Sequence, residues 1–183
     1  MKKIETNRLI IRNFYKADSR GLLEYLANPR VSCFLEDKVQ TIEEAALKIQ
    51  KRGEDDSIIA VCLKESDYLI GEIFYLKEEQ DTYSIGWHFN AQYEGKGYAS
   101  ESVKAFLKYL FTQKDARRVY AYVEEDNYKS QKLCKKLGMR KEGCFVEFIS
   151  FTTYEDGTPK YENTLQYALL KNEWIKNSSI NEL

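Results

Sequence analysis

Residues 92–99, Gln-Tyr-Glu-Gly-Lys-Gly-Tyr-Ala, restrict the fold of this chain more than any other segment. They follow an aromatic and β-branched run, 82–90. They precede the strongest helical pattern in the sequence, in which Ala99, Val103, Phe106, Leu107 and Leu110 recur at helical spacing. A strand must end and a helix begin within a few residues that include Gly95 and Gly97. Glycine accepts backbone conformations closed to other residues. A helix start leaves its first N–H groups unpaired at the positive end of the helix dipole. Together these make a cradle suited to phosphate, although the same residues also serve as a plain tight connection. Two familiar phosphate loops do not match. The nucleotide P-loop ends in Gly-Lys-Ser/Thr, whereas Tyr98 follows Gly97, and the dinucleotide fingerprint needs a third glycine where Ser100 stands.

The length, 183 residues, suits one domain spanning 1–183 with a substantial core. With 28 Lys+Arg against 29 Asp+Glu, the net charge is −1, which gives no electrostatic case for nucleic acid or an anionic membrane surface. Cys33, Cys62, Cys134 and Cys144 form no Cys-x-x-Cys pair, and His88 is the only histidine, so reduced thiols and no metal site are expected. The N-terminus lacks an apolar signal core, and no segment is long and apolar enough to span a bilayer. The expected location is the cytoplasm.

Periodicity predicts a first strand over 6–14 and a helix over 17–27 with Leu22, Leu23 and Leu26 as its apolar stripe. Thr41 and Glu44 form a capping box for a second helix, with Ala45, Ala46 and Ile49 inward and Gly53 as its stop. Strands follow over 57–64, 68–77 and 82–90, then the helix after the glycine loop, then a short strand over 118–123. Residues 127–137 read as a helix ended by Gly138, and 143–154 with 161–170 as a long hairpin, before a short helical tail near Trp174.

This order of elements resembles the GNAT N-acetyltransferase superfamily. Gln92-x-x-Gly95-x-Gly97 matches its acetyl-CoA signature, (Gln/Arg)-x-x-Gly-x-(Gly/Ala). Glu5-Thr6-x-Arg8-Leu9-x-Ile11-Arg12, Ile85-Gly86-Trp87, Tyr98-Ala99-Ser100-Glu101, Asn127-x-x-Ser130-x-x-Leu133 and Leu137-Gly138-Met139 resemble the branch that contains ribosomal-protein N-terminal acetyltransferases. The resemblance covers nearly the whole chain. It implies an α/β fold with a splayed, mostly antiparallel sheet of about seven strands flanked by about four helices. Strands near Phe89 and Val119 would part to admit acetyl-CoA. The backbone N–H groups of Gly95, Lys96, Gly97, Tyr98 and Ala99 would hold the pyrophosphate, and Gln92, which opens the signature, would belong to the same cofactor site. The strand edge at Phe89 and Asn90 would pair with pantetheine, and Asn127 would contact the cofactor's arm. A homodimer is implied by resemblance alone.

Acetyl transfer to an amine requires the amine to lose its proton and to lie in line with a thioester carbonyl. Donors must stabilise the oxyanion, and the leaving thiolate gains from a proton donor. Many superfamily members carry a Tyr directly after the position of Leu133; here it is Cys134, which can act as an acid or simply pack as a small hydrophobe. The branch places a proposed acid at the position of Ser130, whose hydroxyl can instead bond a backbone carbonyl. Candidates for the base are His88, Glu72 and Glu147. Ser84 stands where the branch usually has an acidic residue. Phe34, Tyr75, Tyr83 and Phe145 are candidate walls of an acceptor pocket. The sequence thus reads as an acetyl-CoA-dependent N-acetyltransferase acting on a primary amine, either a peptide or protein N-terminus or a small molecule. The alternative is an acyl-CoA-binding module without turnover.

Overall fold

The computed structural model describes residues 2–180, with side chains through 177. Among these residues are eight strands: Ile4–Glu5 (β1), Leu9–Arg12 (β2), Ile58–Leu63 (β3), Leu69–Lys77 (β4), Thr82–Phe89 (β5), Arg118–Glu124 (β6), Arg140–Thr153 (β7) and Pro159–Leu170 (β8). They hydrogen-bond in the order β1-β2-β3-β4-β5-β6-β8-β7. The α-helices are Ser19–Leu26 (α1), Ile42–Glu54 (α2), Tyr98–Gln113 (α3), Tyr128–Lys136 (α4) and Lys171–Ile180 (α5). The sheet is mixed: β5 and β6 pair in parallel over Thr82–Ser84 and Arg118–Tyr120, while β2–β3, β3–β4, β6–β8 and β7–β8 are antiparallel.

The eighth strand is β1, which the sequence reading left outside the sheet. It pairs Ile4 with Ile11 and Glu5 with Ile10. A turn separates it from β2, in which Thr6 N–H donates to the Leu9 carbonyl (2.9 Å) and Leu9 N–H to the Thr6 hydroxyl (2.9 Å). The expected strand over 6–14 is therefore shortened to Leu9–Arg12. The chain forms two compact units, each made from two separate stretches. One comprises residues up to Tyr75 with Trp87–Phe106; the other comprises Leu76–Gly86 and the residues from Leu107 onward.

In the first unit, Phe14, Leu22, Leu26, Val39, Ala45 and Ile49 bury the apolar faces of α1 and α2 against Ala60, Cys62 and Leu69 of the sheet. The capping box of α2 is present. Glu44 N–H donates to the Thr41 hydroxyl (3.2 Å), and the Glu44 carboxylate accepts from the N–H groups of Gln40 (2.6 Å) and Thr41 (3.4 Å). Gly53 is not the stop, because the helix runs through it to Glu54 and ends at Asp55. Arg12 is buried with its guanidinium on Asp18 (2.8 and 2.9 Å) and on Asp67 (2.9 Å), which ties β2 to the entry of α1.

In the second unit, β6 pairs with β8 over seven residues, and β8 with the long, bulged β7. Asn127 caps α4 by accepting the Ser130 N–H (3.1 Å). At its other end Gly138, at φ +82°, donates to the Lys135 carbonyl (3.0 Å), and Met139 N–H donates to that of Cys134 (3.0 Å). This is the paired closure typical of a glycine-terminated helix. Trp174 of α5 stacks on Phe111 with ring centroids 5.3 Å apart. Among the described residues no helix is long and apolar enough to cross a membrane.

Gly21 makes a test of this packing. Replacing a helical glycine by alanine ordinarily stabilises a helix by about 1 kcal/mol. A Cβ at Gly21, however, would sit 2.6 Å from the Leu69 carbonyl oxygen and 2.8 Å from its Cβ. Gly21→Ala is therefore expected to destabilise by about 1–3 kcal/mol, read as a lower midpoint in urea; a higher midpoint would show that α1 does not rest on β4.

Candidate active site

The loop after β5 is built by Asn90. Its side-chain oxygen accepts the Gln92 N–H (3.0 Å), its carbonyl accepts the Tyr93 N–H (3.1 Å), and its own N–H donates to the Ile70 carbonyl (2.9 Å). Asn90 is buried, and its amide nitrogen also bonds Glu24 (3.2 Å). This corrects the expectation that its backbone pairs with pantetheine, because its N–H is already engaged within the protein. Asn90 instead shapes the turn Ala91–Tyr93 that delivers the chain to the glycines.

Gly95 and Gly97 adopt φ of +77° and +81°, left-handed values that strain any residue with a Cβ. A Cβ at Gly95 would meet nothing within 4 Å, and one at Gly97 only Arg8 Nη2 at 3.5 Å. Conformation, not crowding, requires glycine here, and the space in front of the loop is open. The first intrahelical bond of α3 runs from Glu101 N–H to the Gly97 carbonyl (3.0 Å). The N–H groups of residues 97–100 thus lie ahead of the hydrogen-bonded ladder. Lys96 is exposed with its ammonium 5.3 Å from the Tyr93 ring, and Glu94, the carboxylate nearest the loop in sequence, is paired with Arg30 (2.9 Å). Open donors, a cation and an accessible approach fit a diphosphate.

The same unit contains a buried polar cluster. Glu72 of β4 forms an ion pair with Arg52 of α2 and accepts a hydrogen bond from the Tyr25 hydroxyl (3.2 Å). Burial raises the Glu72 carboxyl above its usual range, against the opposing pull of Arg52. At 1% exposure Glu72 is closed to substrate, which corrects the expectation that it faces an acceptor. His88 stacks on Phe34 (centroids 4.1 Å apart) and takes the edge of Tyr25 (5.0 Å). Its Nδ1 is buried without a hydrogen-bond partner. Burial, reinforced by the charge of Arg52, pushes its pKa down to about 4, so the imidazole is neutral at pH 7.

The remaining candidates lie in the second unit. Ser130 is half-buried in the first turn of α4, and Asn127 is that helix's cap. Cys134 is fully buried, and its thiol is pushed up to about 12 by that burial. It packs as a small hydrophobe with no path for a proton, a correction to its place among the acids. Glu147 is exposed in β7 at φ +48°, with its N–H on Asn163 (2.9 Å). Sequence reading missed Tyr120 and Glu78. The Tyr120 hydroxyl donates to the Glu78 carboxylate (2.5 Å), and burial together with that carboxylate pushes its pKa up to about 12. Ser84 pairs with Tyr120 in the sheet register, and it is the Tyr120 hydroxyl that engages the Glu78 carboxylate. No local pattern reveals it, because the parallel register that sets Ser84 beside Tyr120 is a tertiary fact. Of the aromatic candidates, Phe34 covers His88, Tyr83 is buried, Tyr75 packs on Phe106 (5.1 Å), and Phe145 is partly exposed with Tyr122 and Phe148.

Comparison with known proteins agrees with this geometry. The family model described as an acetyltransferase (GNAT) domain matches residues 8–140. The chain is 36% identical over 176 residues to YnaD of Bacillus subtilis (strain 168), an uncharacterized N-acetyltransferase, covering 93% of this chain and 98% of YnaD. An acetyltransferase (GNAT family) structure from Bacillus anthracis superposes with a TM-score of 0.82 at 31% identity, covering 93% and 99% of the two chains. A ribosomal-protein-S5-alanine acetyltransferase from Vibrio fischeri, at 18% identity, shares the fold with a TM-score of 0.71 over 95% of this chain and 99% of its own.

The lowered pKa of His88 has a consequence for stability. In the unfolded chain the imidazole takes up its proton near pH 6.5, in the folded chain only near pH 4. Its contribution is therefore fully present above pH 6.5 and is lost as pH falls towards 4. The full loss is roughly 3 kcal/mol at 1.36 kcal/mol per pKa unit. Urea midpoints measured from pH 7 to pH 4 should fall more steeply for the native protein than for His88→Phe, which keeps a stacked ring. Parallel slopes would mean that His88 titrates normally.

Proposed function

This chain belongs to the acetyltransferase (GNAT) family, and from that premise we propose that it acetylates a primary amine, first of all the α-amino group of a peptide or protein. One observation carries the reading: two left-handed glycines, Gly95 and Gly97, open the unpaired first-turn amides of α3 to a ligand. In this family acetyl-CoA supplies an activated thioester carbonyl. The N–H groups of residues 97–100 and the Lys96 ammonium would hold its pyrophosphate. The strand edge at Phe89 would take the pantetheine side, with Asn127 contacting the arm. Ser130 is the proton donor we assign to the departing sulfur.

The buried cluster supports the choice of amine. Glu72 is engaged by Arg52 and Tyr25, and His88 is neutral and weakly basic. Neither is poised to strip a proton at pH 7. An α-amino group, with a pKa of about 7.7–8.0, presents a sizeable neutral fraction at that pH unaided, whereas an alkyl amine near about 10.4 presents less than one part in a thousand. An amine that is already neutral needs no base to remove its proton before it attacks the thioester. Small polyamines and amino acids are the second class of acceptor to test.

Acetyl-CoA at about 100 times its dissociation constant should stabilise the protein by roughly 2.7 kcal/mol, a rise in Tm of about 5–10 °C at this size, with ATP and NADPH as controls. Gly95→Glu should abolish that rise while leaving the unliganded protein folded; an undiminished rise would remove the loop from the site. For transfer, thiol release with an α-amino peptide should increase with pH through an inflection near about 8 and level off above it, with no inflection at 6.5. Ser130→Ala should lower kcat by at least about tenfold with little change in acetyl-CoA affinity. Full activity in that variant would strip Ser130 of its role.

A further inference from the structure

The turn between β1 and β2 reaches the glycine loop. Glu101, in the first turn of α3, accepts hydrogen bonds on Oε1 from the Thr6 hydroxyl (2.6 Å) and the Arg8 N–H (2.9 Å), and on Oε2 from Arg8 Nε (2.7 Å). Arg8 Nη2 also lies 2.7 Å from Oε2, so two guanidinium nitrogens converge on that one carboxylate oxygen. The remaining nitrogen, Nη1, donates to the Lys96 carbonyl (3.0 Å). The guanidinium lies over the Tyr98 ring, 4.6 Å from its centroid. One side chain therefore holds the residue between the two glycines, the first residue of α3 and the carboxylate one turn into it.

Two consequences follow from elementary geometry and charge. The peptide unit is planar, so its carbonyl and its N–H point in opposite directions. Anchoring the Lys96 carbonyl on Arg8 aims the Gly97 N–H away from Arg8 and out of the loop. Second, a carboxylate in a first helical turn is attracted to the unpaired amides there. Left unpaired, Glu101 would place its negative charge beside the donors that a diphosphate must use. Burial raises the Glu101 carboxyl, but the bonds from Thr6 and Arg8 outweigh it and hold the group below its usual range, so the charge is present and must be matched.

We propose that Arg8 is a positioning residue for diphosphate binding, which locks the Lys96–Gly97 peptide with its N–H outward and neutralises Glu101 so that its charge does not compete with the ligand. This rests on the assignment of the glycine loop as the acetyl-CoA cradle. Lysine cannot replace Arg8 here, because a single ammonium cannot span Glu101 and the Lys96 carbonyl together.

The test is calorimetric titration of the full chain with CoA, using Arg8→Ala, Arg8→Lys, Glu101→Gln and the double variant Arg8→Ala/Glu101→Gln, with unliganded Tm as the control for folding. Arg8→Ala should weaken CoA binding by at least tenfold, and Arg8→Lys by less. The double variant should bind several-fold more tightly than Arg8→Ala, because the freed carboxylate is gone. In turnover assays the loss should fall on KM for acetyl-CoA rather than on kcat. CoA binding by Arg8→Ala at native strength, or a double variant no tighter than Arg8→Ala, overturns the proposal. Should Arg8→Ala not fold, Arg8→Lys with and without Glu101→Gln makes the same comparison. Failure of the native protein itself to bind CoA would instead overturn the cradle assignment on which this rests.

Discussion

The open helix start governs the rest of the site. A backbone N–H without a partner is costly unless water or a ligand meets it. The loop after β5 must therefore keep the amides of residues 97–100 facing outward and keep the protein's own acceptors away from them. Gly95 and Gly97 meet the first demand through φ values that other residues avoid. The second demand reaches back to the N-terminus, where Thr6 and Arg8 engage the one carboxylate of that helical turn. The short turn that divides β1 from β2 thus has a reason beyond sheet topology, since it places Thr6 and Arg8 where α3 begins.

A second constraint operates in the same unit. Arg52 and Glu72 are both buried, and removing two charges from water is compensated only by close pairing and further hydrogen bonds, here including the Tyr25 hydroxyl. Such a pair is weak evidence for net stability. It does fix α1, α2 and β4 to one another, because losing either partner would strand a buried charge. It also sets the electrostatics around His88. The Arg52 charge adds to burial in keeping the imidazole neutral. The ring of His88 is consequently held uncharged between Phe34 and Tyr25.

Elements whose signals are local were legible in the sequence. The capping box at Thr41 and Glu44 and the glycine closure at Gly138 each need only a few consecutive residues, and each occurs as read. Gly53 misled because a glycine next to a helix end is a stop only when its φ turns left-handed, and here it does not. Strand β1 escaped notice because two residues carry no periodicity; its existence depends on pairing with β2.

The site divides along the same line. The sequence by itself determined the strand, the two glycines and the helix start, because backbone conformation and unpaired amides are properties of contiguous residues. Tertiary structure alone decided which polar side chains are available. Glu72, Cys134 and Asn90 read as reactive or ligand-facing, yet each is enclosed or already hydrogen-bonded, whereas Arg8 with Glu101 and Tyr120 with Glu78 are paired across long stretches of sequence. Burial and charge pairing depend on what other segments bring to a residue, and no spacing along the chain encodes that.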